Sequence, residues 1–293
     1  MNNEIELTEL QVDQIKGYAD EERIKFGVIN VPIADELFML LEQKEKIAIC
    51  QYPFPTRKKS HTDANITRFE SEFGQMIFIG LNTAIYYDEQ LFALAHELYH
   101  YITQTGKAYD TDADEEDKLI EKKADRFAAE ILLPSKVLKS RIIEQFETLQ
   151  LDNVSNLRLL RFIARLQSEW WLPYRALVLR LYEEKHITDS QVEKLFAIDD
   201  RDENSVYSKI LCSISPDNYK KLNTITKRTD VSAWVMEIFI QNYEDGDMTD
   251  DEFVSILKLF GKEPDDFGFD LSVDAIDIDE LDGLFEGGGV DES

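Results

Sequence analysis

The chain has 293 residues, 43% hydrophobic and 31% charged, an ordinary balance for a globular protein with a substantial core. Its 32 Lys and Arg stand against 59 Asp and Glu, a formal net charge of −27 that argues against binding nucleic acid by general electrostatic attraction. No apolar run approaches the ~18 residues of a membrane span, Cys50 and Cys212 make no disulfide framework, and the acidic start MNNEIELTELQVDQ has no secretory pattern, so a cytoplasmic protein without a membrane partner is expected.

Glu9 to Lys25 is helix-like, and Ile33 to Gln43 repeats Leu37, Leu40 and Leu41 at helical spacing. Ile47–Tyr52 and Gln75–Leu81 are β-rich runs bounded by Pro or Gly and are predicted strands. Asp88 is the predicted N-cap of a helix through Thr105, with Gly106 as its stop. An acidic loop, Asp112 to Asp117, precedes a second long helix running to Leu133, which Pro134 ends. From Ser135 the pattern is almost wholly helical: Lys136–Thr148, Asn156–Glu169, Pro173–Lys185 and Thr188–Phe196, the last opened by the capping box Thr188-x-x-Gln191. Asp199 to Asn204 reads as a linker, followed by helices at Asp230–Tyr243 and behind Thr249-x-x-Glu252, the latter stopped by Gly261. From Asn242 to Ser293, 18 acidic residues stand against Lys258 and Lys262, a net of −16 that leaves −11 to the other 241 residues. Asp265 to Ser293 has no basic residue, the composition of a disordered tail.

The helix at Asp88–Thr105 contains His96-Glu97-Leu98-Tyr99-His100, a match to H-E-x-x-H. A spacing of four puts both imidazoles on one helical face, one turn apart, where they can hold one Zn²⁺. Glu97 lies near enough to the open position of such a metal to take a proton from water. The longer H-E-x-x-H-x-x-G-x-x-H pattern is excluded, because Thr103 and Gly106 stand where its Gly and third His belong. His61 and His186 are third-ligand candidates on chemistry alone. Glu121, at the edge of the apolar stripe Ile120, Ala124, Ala128 and Ile131, is better placed, since a carboxylate there is expensive to bury without a cation. Asp125, four residues on, shares its side and can accept the free N–H of a ligating histidine. The alternative, that both acids ride the solvated flank of a charged helix, is equally compatible with the spacing.

The segments Ala95-His96-Glu97-Leu98-x-His100 and Glu121-x-x-Ala124-Asp125-x-Phe127-Ala128-Ala129-x-Ile131-Leu132-Leu133-Pro134 resemble the ImmA/IrrE family of metallopeptidases. The family pattern is A-H-E-L-x-H, then E-x-x-A-[ND]-x-F-A-A-x-L-L-x-P. The resemblance covers about Ile29 to Pro134 and weakens in the helices beyond. It implies a gluzincin-like zinc endopeptidase, with His96, His100 and Glu121 as ligands of one Zn²⁺, Glu97 as general base and Asp125 supporting a ligand from behind. It also implies a protein substrate, a repressor or other transcription regulator in stress response or mobile-element control. Tyr99 departs from the family, which usually has Gly there.

The fold expected is α+β: a zinc-peptidase domain over 1–135, a helix-turn-helix-like helical domain over 136–198, a helical segment over 205–264 and the acidic tail over 265–293. Gln75–Leu81 is expected to be a substrate-aligning edge strand, and Tyr86, Tyr87, Tyr101 and His186 are candidate oxyanion donors. Between Leu157 and Lys185, Arg158, Arg161, Arg165, Arg175, Arg180 and Lys185 read as a solvated helix face rather than a DNA-reading surface. The run Asp245–Glu252 fits a calcium loop in neither register. Two competing classes are a non-proteolytic regulator that keeps the metal structurally and a DNA-binding protein.

Overall fold

A computed structural model of the chain describes residues 6–44, 47–54, 63–71, 74–106 and 115–271. His61, residues 112–114 of the acidic loop and residues 272–293 of the acidic tail lie outside the described residues. The fold is α+β and divides into two units, Met1–Ser232 and Ala233–Ser293.

In the first unit, α1 (Glu9–Lys25) opens behind Thr8, whose hydroxyl accepts from the Gln11 amide while Gln11 answers the Thr8 amide. Helix α2 (Glu36–Glu42) buries Leu37, Leu40 and Leu41, as its spacing requires. The four-stranded sheet has the order β2-β3-β1-β4. Strand β1 (Ile47–Tyr52) runs parallel to β3 (Gly74–Asn82), whereas β2 (Ala64–Ser71) is antiparallel to β3 and β4 (Asp230–Val231) antiparallel to β1. The run Gln75–Leu81 is therefore an inner strand, paired on both sides, and the expectation that it forms a substrate-aligning edge is corrected. Among the described residues, the edge beside it is β2, which the sequence analysis did not find.

Helix α3 (Tyr87–Thr103) has its N-cap two residues earlier than expected. Tyr86 is the N-cap, its amide held 3.2 Å from the Glu89 carboxylate, and Asp88 lies fully buried inside the helix. Asp88 Oδ1 accepts from Arg201 Nη2 at 2.8 Å, and Oδ2 accepts from Gln167 Nε2 at 2.8 Å. Gln167 in turn accepts from the Tyr207 hydroxyl. Burial pushes the Asp88 carboxyl up to about 6, against the pull of Arg201. The segment read as a linker thus delivers Arg201 to the base of α3.

Helix α4 (Glu115–Leu132) packs along α3, with Ala124 and Ala128 fully buried where the two backbones approach. Its last carbonyls, left without intrahelical donors, are met by buried guanidinium groups: Arg23 donates to Ile131 O, and Arg180 Nη2 to Leu133 O at 3.1 Å. Beyond it α5 (Ser135–Phe146), α6 (Asn156–Trp170), α7 (Tyr174–Glu183) and α8 (Asp189–Phe196) follow the expected helical order. Arg180, read as part of a basic surface, is buried and bonded to Glu130 at 2.7 Å. Two short helices, α9 (Val206–Ile214) and α10 (Pro216–Leu222), lie in the part of the expected helical segment over 205–264 where no individual helix is predicted.

In the second unit, α11 (Ala233–Glu244) begins after Asp230–Val231 has paired as β4, which shortens the helix expected from Asp230. Helix α12 (Asp250–Leu259) starts at the capping box of Thr249 and Glu252. Asp265 to Leu271, expected as the start of the tail, continue the packed unit. Pro264–Phe267 forms a 3-10 turn, and the Phe269 ring lies 5.2 Å from Tyr243 and 5.3 Å from Phe253. Among the described residues, no helix is long and apolar enough to cross a membrane.

Candidate metal centre

His96 and His100 stand one turn apart on α3, and Glu121 and Asp125 one turn apart on the neighbouring α4. Packing of the two helices brings all four side chains together. His96 Nε2 and His100 Nε2 are 3.1 Å apart, with Glu121 Oε2 3.0 Å from the first and Oε1 3.5 Å from the second. Asp125 Oδ1 lies 2.9 Å from His96 Nδ1, and a carboxylate there must accept, so Nδ1 carries the proton and Nε2 presents its lone pair.

The tautomer of His100 follows from a chain of hydroxyls. Thr103 Oγ1 donates to the Tyr99 carbonyl at 2.8 Å, which uses its one proton. Its 2.6 Å contact with Thr105 Oγ1 must then be a bond donated by Thr105. With that proton committed, the 3.1 Å contact between Thr105 and His100 Nδ1 is donated by the imidazole. His100 Nε2 is therefore also a bare acceptor. Two imidazole lone pairs and a carboxylate converge with no donor between them, a cluster that either an added proton or a cation held between the three satisfies. A tetrahedral ion with bonds of 2.0–2.1 Å separates its ligand atoms by about 3.3–3.4 Å, close to the separations seen. Among the described residues, His96, His100 and Glu121 form the one group with metal-ligating geometry, and Asp245–Glu252 forms none.

Electrostatics agree with the geometry. When the Nε2 atoms carry protons instead, hydrogen bonds from His100 and His96 hold the Glu121 carboxyl well below the usual carboxylate range. Burial opposes a charge on His96, but Asp125 and Glu121 outweigh it and raise its pKa to about 10. The same converging carboxylates that attract a proton to His96 would attract a metal ion. Glu97 is buried beside the cluster, and burial raises its carboxyl above the ordinary value against the pull of His96 and His100. The Glu121 and Asp125 side chains are 56% and 57% exposed, so burial cost does not account for Glu121, contrary to the expectation. They reach the histidines from the open side.

Several supporting residues were not found in the sequence. Thr103 and Thr105 set the His100 tautomer. Arg68 on β2 donates to the His100 carbonyl at 2.6 Å and ties the edge strand to the end of α3. Gly106 has φ +87°, and a Cβ there would stand 3.0 Å from the His100 ring and from the Ile66 methyl. Tyr99 lies with its ring 5.6 Å from Phe127, filling the space between α3 and α4 where the family has Gly. The rings of three candidate oxyanion donors pack against neighbours, and the fourth candidate is bonded through Nδ1. Tyr86 lies under Arg201, Tyr87 against Phe38 and Trp171, Tyr101 beside Lys44, and His186 donates to Leu149 O.

Residues 42–182 match the family model described as the IrrE N-terminal-like domain, Peptidase_M78. No curated protein matches the chain. The segment is thus similar to the IrrE N-terminal-like domain of a metallopeptidase family, in keeping with the ImmA/IrrE resemblance, and a peptidase of that kind acts on a protein substrate.

Proposed function

We propose that this peptidase domain is a cytoplasmic zinc-dependent endopeptidase of the gluzincin type, in which His96, His100 and Glu121 hold one Zn²⁺ and Glu97 is the general base. The observation that carries the reading is the convergence of two imidazole lone pairs and the Glu121 carboxylate within 3.0–3.5 Å, beside a buried acid. When bound, Zn²⁺ supplies a Lewis acid for the scissile carbonyl and lowers the pKa of water. Glu97 takes the proton that water releases and delivers it to the leaving amine, so that water and an amide become a carboxylate and an amine. Its raised pKa suits a group that must both accept and return a proton near neutral pH. Asp125 orients His96 and the Thr105 hydroxyl orients His100. The outer edge of β2, tied to α3 through Arg68, offers backbone groups to an extended peptide.

The substrate proposed is a repressor or another transcription regulator in stress response or mobile-element control, on the strength of the family resemblance. The test is to incubate the protein with repressor-type regulators encoded beside its gene. The wild-type chain should cleave one of them in a chelator-sensitive manner. Glu97→Gln should keep metal and fold but lose cleavage by a factor of at least 10². Undiminished cleavage by that variant would make Glu97 structural.

A further inference from the structure

A groove of about 450 Å³ runs between α6 and α9, on helices that carry none of the metal-centre residues. Each wall is one helical stripe. Helix α6 contributes Leu157, Arg161 and Arg165 at intervals of four, and α9 contributes Val206, Ile210 and Ile214 at the same interval, flanked by Lys209 and Ser213. Val206 and Ile214 are 56% and 40% exposed, an apolar strip presented to water along the α9 wall, and Leu157 at the start of α6 is 44% exposed. The opposite wall is cationic.

Three cations and no carboxylate line the groove, in a chain whose net charge is −27. Among the described residues, Arg165 is bonded to the Gln145 side chain and the Arg161 carbonyl. Among the described residues, no ion pair is formed by Arg161, Arg165 or Lys209, although acids are nearly twice as common in the chain as bases. Cations left unneutralised beside exposed aliphatic side chains define a ligand with an apolar stripe and an anionic flank. Helix α9 spans ~13 Å, so the matching ligand is two to three turns of helix. Aliphatic residues at i, i+4 and i+7 would meet Val206, Ile210 and Ile214, with Asp or Glu turned toward Arg161 and Arg165. Duplex DNA offers the anionic flank but no aliphatic stripe.

We infer that this groove is a docking surface for an acidic amphipathic helix of a partner protein. It stands apart from the metal centre, so its failure would leave the peptidase reading untouched.

The test uses full-length protein and fluorescence anisotropy with a stapled helical peptide bearing Leu at i, i+4 and i+7 and Glu along one flank. A control peptide carries Lys in place of each Glu. The acidic peptide should bind at least about tenfold more tightly than the basic one and weaken as salt rises. The Arg161→Glu, Arg165→Glu double variant should reverse that preference, and Val206→Asp should weaken both peptides about tenfold or more. All three residues are exposed, so melting temperatures should stay at the wild-type value. Equal affinity for the two peptides, or no loss in the charge-reversed variant, would overturn the inference. So would tighter binding of a 20-base-pair duplex through the same arginines. Self-association of the wild-type chain that these substitutions abolish would make a second copy the occupant, and would overturn it equally.

Discussion

Replacing Thr105 by Val tests whether the hydroxyl chain behind His100 matters to metal binding. Valine keeps the volume but removes the acceptor for His100 Nδ1–H and the donor to Thr103, which stand 3.1 and 2.6 Å away. The imidazole then keeps its position on α3 but loses the bond that selects the tautomer with a free Nε2. Outer partners of ligating histidines are typically worth 10–100-fold in metal affinity, which is about 1.4–2.8 kcal/mol. The assay is competition for Zn²⁺ against a chromophoric chelator at fixed pH, with the melting temperature of metal-free protein as the control for fold. Thr105→Val should lose affinity by that factor, whereas Thr105→Ser, which keeps the hydroxyl, should regain it. Wild-type affinity in Thr105→Val would refute the argument that these threonines fix the tautomer.

Asp125→Ala removes the acceptor 2.9 Å from His96 Nδ1 and should cost about 10–100-fold in metal affinity or activity, read by the same competition. Glu184 tests the buried charge network. Burial alone would raise its carboxyl, but Arg126 and Lys16 overcome that and hold it at about 2, against 4.5 for the free group. A depressed folded value means stability present above about pH 4.5 and lost as pH falls toward 2. The gap corresponds to roughly 3 kcal/mol. Denaturant melts should therefore show Glu184→Gln destabilised by up to about that amount at pH 7, with the difference closing near pH 2–3. A pH-independent difference would assign the effect to packing.

What the sequence revealed and what it concealed divide along the range of the interactions involved. The histidine pair, the apolar stripe of α4 and the capping boxes at Thr188 and Thr249 rest on neighbours within one or two turns, and local spacing exposes them. Strand β2 escaped because its pattern is weak: Ile66 is its core residue, while Arg68 and Glu70 interrupt the alternation and Phe69 points outward, as befits an edge. Without β2, β3 reads as the edge. Asp88 reads as a cap because its partner Arg201 is 113 residues away, and a local rule cannot anticipate a buried ion pair of that separation. In the sequence Thr103 serves only to exclude a longer metal motif and Thr105 only to mark the end of a helix. Their role appears once Gln104, at φ +55°, ends α3 and turns Thr105 back toward His100.

The most direct measurement is elemental analysis of the full-length protein and of Glu121→Ala, both purified without added metal. The account predicts one equivalent of zinc in the wild-type chain and severe depletion in the variant, because the two histidines alone leave the ion without its protein carboxylate. Zinc absent from the wild-type chain, or full zinc occupancy in Glu121→Ala, would contradict it.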